Sequence, residues 1–364
     1  MWISKHRTCN RFIRFVVSPL LVITKASCLV DSPSDPSELQ ESFQPSWTNY
    51  SAFIVFGDSY SDNGHPRSPE DQPSLAAKPA VGGRFCDGPV WDEYLAQNLS
   101  NSADSNITFL NYAYNGAHIR NKLSNQSPSP VPDTAAQIQT YLTDLEKYVQ
   151  HPISGKVFEG RILHALWIGI NPILSIWRSA SSGNQTLNAD TLLTPELAET
   201  LNTQVEEFSK QLLLLSNNPS LSKFQTDYMV MTIPPLTNTA LALSQSSQAS
   251  KGDVTLAQQY IELLAQMTDH FNTKLVEAVQ KMTRQFSWHK RRITVFDTVD
   301  FWDDVRSAPQ RFGIQSLGSC YTDPNKPPCK KPDLYMYWDI LHPSSIFHAN
   351  LSNAIMQFLD ELNE

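Results

Sequence analysis

The chain has 364 residues, 41% of them apolar and 18% charged, a balance that excludes a disordered chain and a polytopic membrane protein. Its net charge is −8 and no basic stripe runs along it, so nucleic acid is not an expected partner. The length suits one large α/β unit with a sizeable core.

At the N-terminus, Lys5, Arg7, Arg11 and Arg14 precede the apolar run FVVSPLLVIT, and Ala26 and Cys28 form an A-x-C spacing. Residues 1–28 therefore read as a secretory signal peptide. A signal anchor is the alternative, but the run is short for a membrane span and Pro19 interrupts it. Residues 29–46 are polar and rich in proline, a linker into the folded part. The sequons at Asn49, Asn98, Asn106, Asn125, Asn184 and Asn350 agree with a secreted glycoprotein and no stable membrane insertion.

The first strand is FIVF at 53–56, a solid apolar run of the kind covered on both faces in a parallel sheet. It stops at Gly57, where glycine permits a sharp turn, and delivers Ser59 to the strand's carboxyl end. A polar, proline-rich loop follows at 65–89, then helical spacing in VWDEYLAQNL. Further strands are expected at 107–114, 162–170, 227–233 and 292–298. Helices are expected over 134–150, over 195–215 (with Leu197, Leu201, Val205, Phe208 and Leu212 on one face) and over 254–284. A last helix after Pro343, with Ser344 as N-cap, presents Phe347, Leu351, Ile355, Phe358 and Leu362 to the core. Strands alternating with helices predict a three-layer α/β/α sandwich with a central parallel sheet in a flavodoxin-like order.

Cysteine usage is sparse. Cys9 and Cys28 leave with the signal peptide, and Cys320 and Cys329 bracket the loop YTDPNKPP, a natural disulfide closure in an oxidising compartment. Cys86 is left over. With no C-x-x-C and no H-E-x-x-H, neither a metal nor an organic cofactor is expected.

In open α/β sheets ligands bind at the carboxyl ends of strands, so those ends carry the chemistry. They offer Ser59, then Gly116 in NYAYNGAH, then Gly169 and Asn171 in WIGINP, and late in the chain Asp339 and His342 in YWDILHPS. A serine nucleophile needs a base, the base gains from an acid that sets its tautomer, and the oxyanion needs preorganised donors. Asp339 and His342 are three residues apart, a spacing that one helical turn brings to the same side. His118 is either a substrate contact or a solvated loop residue, and Tyr337 with Trp338 are either an aromatic platform for a sugar or core. No G-x-S-x-G elbow is present, which argues against the α/β-hydrolase lipases.

FGDSYSDNG resembles the first block of the GDSL or SGNH hydrolases, NGA the glycine block, GIN the asparagine block and DILHPS the terminal block. GRFCDGPVWDEYLA at 83–96 is similar to a segment of secreted plant and fungal members. The resemblance runs from Phe53 to the last helix, so residues 47–364 are expected to form a single SGNH hydrolase domain. It implies Ser59 as nucleophile, the Ser59 and Gly116 N–H groups with the Asn171 amide as oxyanion donors, His342 as base and Asp339 as its orienter. The family usually has an acid after the asparagine. Here Pro172 stands there, and proline is expected to hold Asn171 extended while leaving its amide free. The chain is similar to fungal acetyl esterases of carbohydrate esterase family 16, which implies a secreted, extracellular esterase that deacetylates plant cell-wall carbohydrate, its partner an acetylated oligosaccharide. A lipid acyl hydrolase of the same family, or a silent glycan-binding homologue, are the alternatives.

Overall fold

The structure is a computed structural model that describes residues 50–64, 84–102, 107–124, 131–150, 160–182, 192–284, 291–323 and 325–362. The expected signal peptide and linker, and the loop 65–83, lie outside the described residues. Five strands, β1 (Tyr50–Gly57), β2 (Thr108–Asn111), β3 (Arg161–Trp167), β4 (Gln225–Met231) and β5 (Arg291–Phe296), form one sheet in the order β2-β1-β3-β4-β5. Every pairing is parallel. This is the flavodoxin-like order and the SGNH hydrolase fold, with its topological switch point between β1 and β3.

Helices α1 (Trp91–Ser102) and α8 (Ser345–Glu361) pack together, while α2 (Thr134–Gln150), α3 (Ile170–Ser182), α4 (Pro195–Ser216), α5 (Ala240–Ala249) and α6 (Val254–Thr283) form a second contiguous group. Right-handed crossovers from a sheet that winds both ways put the two groups on opposite faces. An aromatic cluster sits in the core between the layers: Trp91 and Trp302 each pack edge-on to Trp167. Most helices are started by a side chain of their own segment. Thr194 accepts from Leu197 N, Asp253 from Leu256 N, and Asp297 from Val299 N at the head of α7 (Thr298–Ser307).

Several expectations shift. Ile170 and Asn171 belong to α3 and not to β3, so Pro172 falls in the first helical turn, where its missing N–H would have had no intrahelical partner. Ser344 occupies the N-cap position of α8 without capping it. Its hydroxyl donates to Tyr335 O at 2.5 Å, and Asp87, far away in sequence, accepts from Ser345 N at 2.8 Å. The buried stripe of α8 runs through Phe347, Leu351, Ile355 and Leu359, leaving Phe358 and Leu362 half-buried. Helices α3, α5 and α7 and a small parallel pair, β6 (Ser316–Ser319) with β7 (Tyr335–Tyr337), were not among the expected elements.

The disulfide Cys320–Cys329 closes the loop beside that small sheet, and Cys86 is free. Of the sequons, Asn98 and Asn350 fall on described residues. Asn98 Nδ2 donates to Ser352 Oγ across the α1–α8 contact, and Asn350 Nδ2 donates to Phe312 O and Ile346 O. A glycan on either nitrogen competes with those bonds. Among the described residues, no helix is long and apolar enough to cross a membrane.

Candidate active site

The site lies at the switch point, where β1 ends. A Cβ on Gly57 would come within 2.6 Å of Trp167 O, so only glycine lets β1 and β3 run this close to their ends. Gln137 of α2 closes the strand end, its amide accepting from Gly57 N at 3.0 Å and donating to Gly57 O at 2.9 Å. Beyond it the chain turns tightly: Ser61 N and Asp62 N both donate to Asp58 O, at 3.0 and 2.9 Å. Ser59 stands on this turn, 6% exposed.

His342 Nε2 is 2.8 Å from Ser59 Oγ, and His342 Nδ1 is 2.8 Å from Asp339 Oδ2. Asp339 and His342 meet through a bend and not through the helical turn expected from their spacing. Asp339 Oδ1 accepts the backbone N–H groups of Leu341 and His342, at 2.8 and 2.7 Å, which folds the loop back on the carboxylate. Burial alone would raise the Asp339 carboxyl. The hydrogen bonds from the His342 ring and from the two amides outweigh it and hold the group below the usual carboxylate range, ionised and facing the ring.

The loop carrying Gly116 and the first turn of α3, which carries Asn171, are tied to the serine turn. Asp62 is fully buried; its Oδ2 accepts Asn115 N at 2.8 Å and its Oδ1 accepts Gly64 N at 2.9 Å. The next residue, Gly116, has φ +77°, a left-handed conformation that a side chain resists. Asn171 Nδ2 donates to Ala117 O at 3.0 Å and lies 3.4 Å from Asp58 Oδ2. The amide is therefore engaged and not free as expected from sequence, and it links the glycine loop to the residue before Ser59.

Residues that sequence reading did not single out frame these groups. Asn111, the last residue of β2, donates through Nδ2 to Ser61 O at 2.6 Å and to Asp92 Oδ2 at 3.0 Å. Tyr60 Oη donates to Leu341 O at 2.7 Å, and the Phe85 ring packs 5.4 Å from the His342 ring. Phe85 lies in GRFCDGP, the stretch whose Asp87 caps α8, and this places it over the base. Burial pushes Asp58 up to about 7. Tyr337 is core, with Trp302 Nε1 donating to its hydroxyl, whereas Trp338 is half-buried and stacks on Tyr321. His118 is half-buried beside the glycine loop, and burial lowers its pKa.

The description "GDSL-like Lipase/Acylhydrolase" belongs to a family whose model matches residues 53–355. Over 329 residues the chain is 20% identical to the thermolabile hemolysin of Vibrio parahaemolyticus, a match covering 85% of this chain and 64% of that protein. The chain thus spans less than two thirds of that relative's length. It is 22% identical over 332 residues to the phosphatidylcholine-sterol acyltransferase of Aeromonas hydrophila, covering 86% of this chain and 92% of that one. Among solved structures, a carbohydrate acetylesterase from Sinorhizobium meliloti aligns with TM-score 0.41 and 13% identity over 85% of this chain and 99% of its own. With the family model reaching from the first core strand into the last helix, the chain belongs to the GDSL-like lipase/acylhydrolase family, the esterase/lipase type of acyl hydrolase.

Proposed function

We propose that the chain is a serine esterase that works through an acyl-enzyme, with Ser59 as nucleophile. The continuous run of 2.8 Å contacts from Ser59 Oγ through the His342 ring to Asp339 is the observation that carries this reading. His342 Nε2 takes the serine proton as Oγ attacks the ester carbonyl, and Asp339 fixes the tautomer that leaves Nε2 able to accept it. Ser59 N, Gly116 N and the Asn171 amide receive the oxyanion. His342 then hands its proton to the leaving alcohol and draws one from water in deacylation.

For the substrate we infer a short acyl ester, an acetyl group on plant cell-wall carbohydrate, cleaved outside the cell. Support comes from the resemblance of the four blocks to fungal acetyl esterases, from the similarity of GRFCDGPVWDEYLA to a segment of secreted plant and fungal family members, and from the signal-like residues 1–28. A second reading, a lipid acyl hydrolase, is favoured by the names of the two curated relatives, a hemolysin and a phosphatidylcholine-sterol acyltransferase. Turnover of an aryl acetate by the wild type and by Ser59→Ala tests the chemistry. Loss of a nucleophilic serine is expected to lower kcat by a factor on the order of 10⁶. A pure Ser59→Ala protein that keeps most of the activity overturns the assignment.

A further inference from the structure

Phe85 is an apolar side chain left half-buried beside the reacting groups, and nothing in the acyl-enzyme scheme uses it. Its ring centroid lies 5.4 Å from that of His342, with the two planes tilted by 39°. The backbone beneath it is fastened on both sides. Before it, Arg84 Nε donates to Glu93 Oε2 at 2.8 Å and a second guanidinium nitrogen meets the other oxygen of that carboxylate, in the first turn of α1. After it, Cys86 Sγ lies 3.4 Å from Pro343 O, and Asp87 Oδ1 accepts Ser345 N at 2.8 Å. Pro343 and Ser345 stand one and three residues beyond His342, so these anchors register Phe85 against the base itself. A side chain carried on so fixed a stretch meets a ligand with little left to order, which is what a recognition surface needs.

What the ring can meet follows from the reaction. Around the tetrahedral carbon stand Ser59 Oγ, the oxyanion, the acyl group and the alcohol oxygen. The oxyanion turns to its donors, while the alcohol oxygen must face His342 Nε2 to receive its proton. That hydrogen bond brings the oxygen to about 3 Å from Nε2, so the carbon skeleton attached to it emerges beside the imidazole, where Phe85 stands. A phenyl ring has no hydrogen bond to offer. It rewards a flat apolar face, such as the C–H face of a pyranose, and gains little from an alcohol of one or two carbons.

We propose that Phe85 is a specificity-determining residue: it forms one wall of the leaving-alcohol subsite and selects esters whose alcohol carries a saturated ring. This inference rests on the esterase reading of the site and deepens it on the alcohol side alone. The acyl group leaves the tetrahedral carbon in another direction and does not meet this wall.

The test compares kcat/KM for the cyclohexylmethyl and ethyl esters of acetic and of butyric acid. Both alcohols are primary, and the cyclohexyl ring stands in for the C–H face of a sugar. Phe85→Ala is expected to lower the cyclohexylmethyl-to-ethyl ratio about 10-fold, the return on roughly 50 Å² of buried apolar surface, and to lower it equally for both acids. If the ring merely seats His342, all four esters slow alike and the ratio stays where it was. An unchanged ratio therefore overturns the proposal, and so does a loss that follows the acyl group. Should Phe85→Ala fail to fold, Phe85→Leu decides by the same ratio: it fills the space without the flat face, and a fall of about threefold is expected. A wild type that turns over none of the four esters fails the esterase reading instead, so the two failures are distinct.

Discussion

Tyr60 Oη donates a 2.7 Å hydrogen bond to the backbone carbonyl of Leu341, joining two loops 281 residues apart in sequence. One loop carries Ser59 and the other carries His342, so this buried bond sets their separation directly. The Tyr60 ring is wedged edge-on against Trp167 and lies 5.8 Å from the His342 ring, which leaves the hydroxyl little freedom.

Removing that hydroxyl with Tyr60→Phe leaves Leu341 O without its partner in the core. Stability is expected to fall by about 1–3 kcal/mol, the cost of an unsatisfied buried acceptor. The Ser59–His342 pair loosens as well, so kcat is expected to drop about 10-fold with little change in KM. Urea unfolding and steady-state kinetics on one preparation check both. A destabilised protein with unchanged kcat would show that the bond braces the fold and not the reacting pair.

The Cys320–Cys329 disulfide closes a short loop whose backbone reaches the base: Tyr321 N donates to Trp338 O at 2.7 Å, and Trp338 N donates to His342 O at 2.8 Å. Replacing both cysteines by serine is expected to cost roughly 2–3 kcal/mol in the chain-entropy account of so short a loop. Denaturant midpoints at constant slope measure it. Peptide mapping without reduction checks the pairing itself, and a bridge from either cysteine to Cys86 would refute it.

His164 sits in β3 with its ring stacked on Tyr228 and its Nε2 3.0 Å from Tyr141 Oη. Burial lowers its pKa from 6.5 to about 3. Below pH 6.5 the unfolded chain binds a proton here that the folded chain refuses until about pH 3. The stability this group contributes is therefore present above pH 6.5 and lost as pH falls through that window, by about 1.4 kcal/mol per pH unit. Asp58, raised to about 7, tilts the other way over much of the same range, so the wild-type profile alone does not isolate His164. The difference between wild type and His164→Gln does. Unfolding free energies at pH 4.5, 5.5 and 6.5 are expected to give the wild type a steeper acid loss by that amount, and parallel profiles would refute the assignment.

Acyl length separates the two substrate readings. A long channel at Ser59 would reward each buried methylene by about 0.8 kcal/mol, nearly fourfold in kcat/KM per carbon. The loop 65–89 is polar and rich in proline, and no long apolar insertion stands between the first strand and the terminal block. Aryl ester hydrolysis is expected to peak between acetyl and butyryl and to fall by octanoyl. A maximum at decanoyl or beyond, below micelle-forming concentrations, would promote the lipid hydrolase.

Local pattern was enough to read much of this protein. A solid apolar run ending in Gly57 announced β1 and the corner that presents Ser59, and three-and-four spacing gave α2 its full extent from Thr134 to Gln150. Alternation of such segments gave the parallel sheet, because periodicity and glycine turns are properties of neighbouring residues. The short or weakly periodic elements were not legible, and α3 was hidden because its first turn continues the apolar run of β3 across Gly169 without a break in pattern.

What only the tertiary structure decided are contacts between residues far apart in the chain. Asp87 rather than Ser344 caps α8, Asp339 reaches His342 through a bend closed by its own carboxylate, and Asn171 is held by Ala117 and Asp58. Each depends on where a polar atom lies once the sheet has brought the strand ends together. A buried donor or acceptor takes whichever partner folding places within reach, and sequence spacing carries no record of that choice.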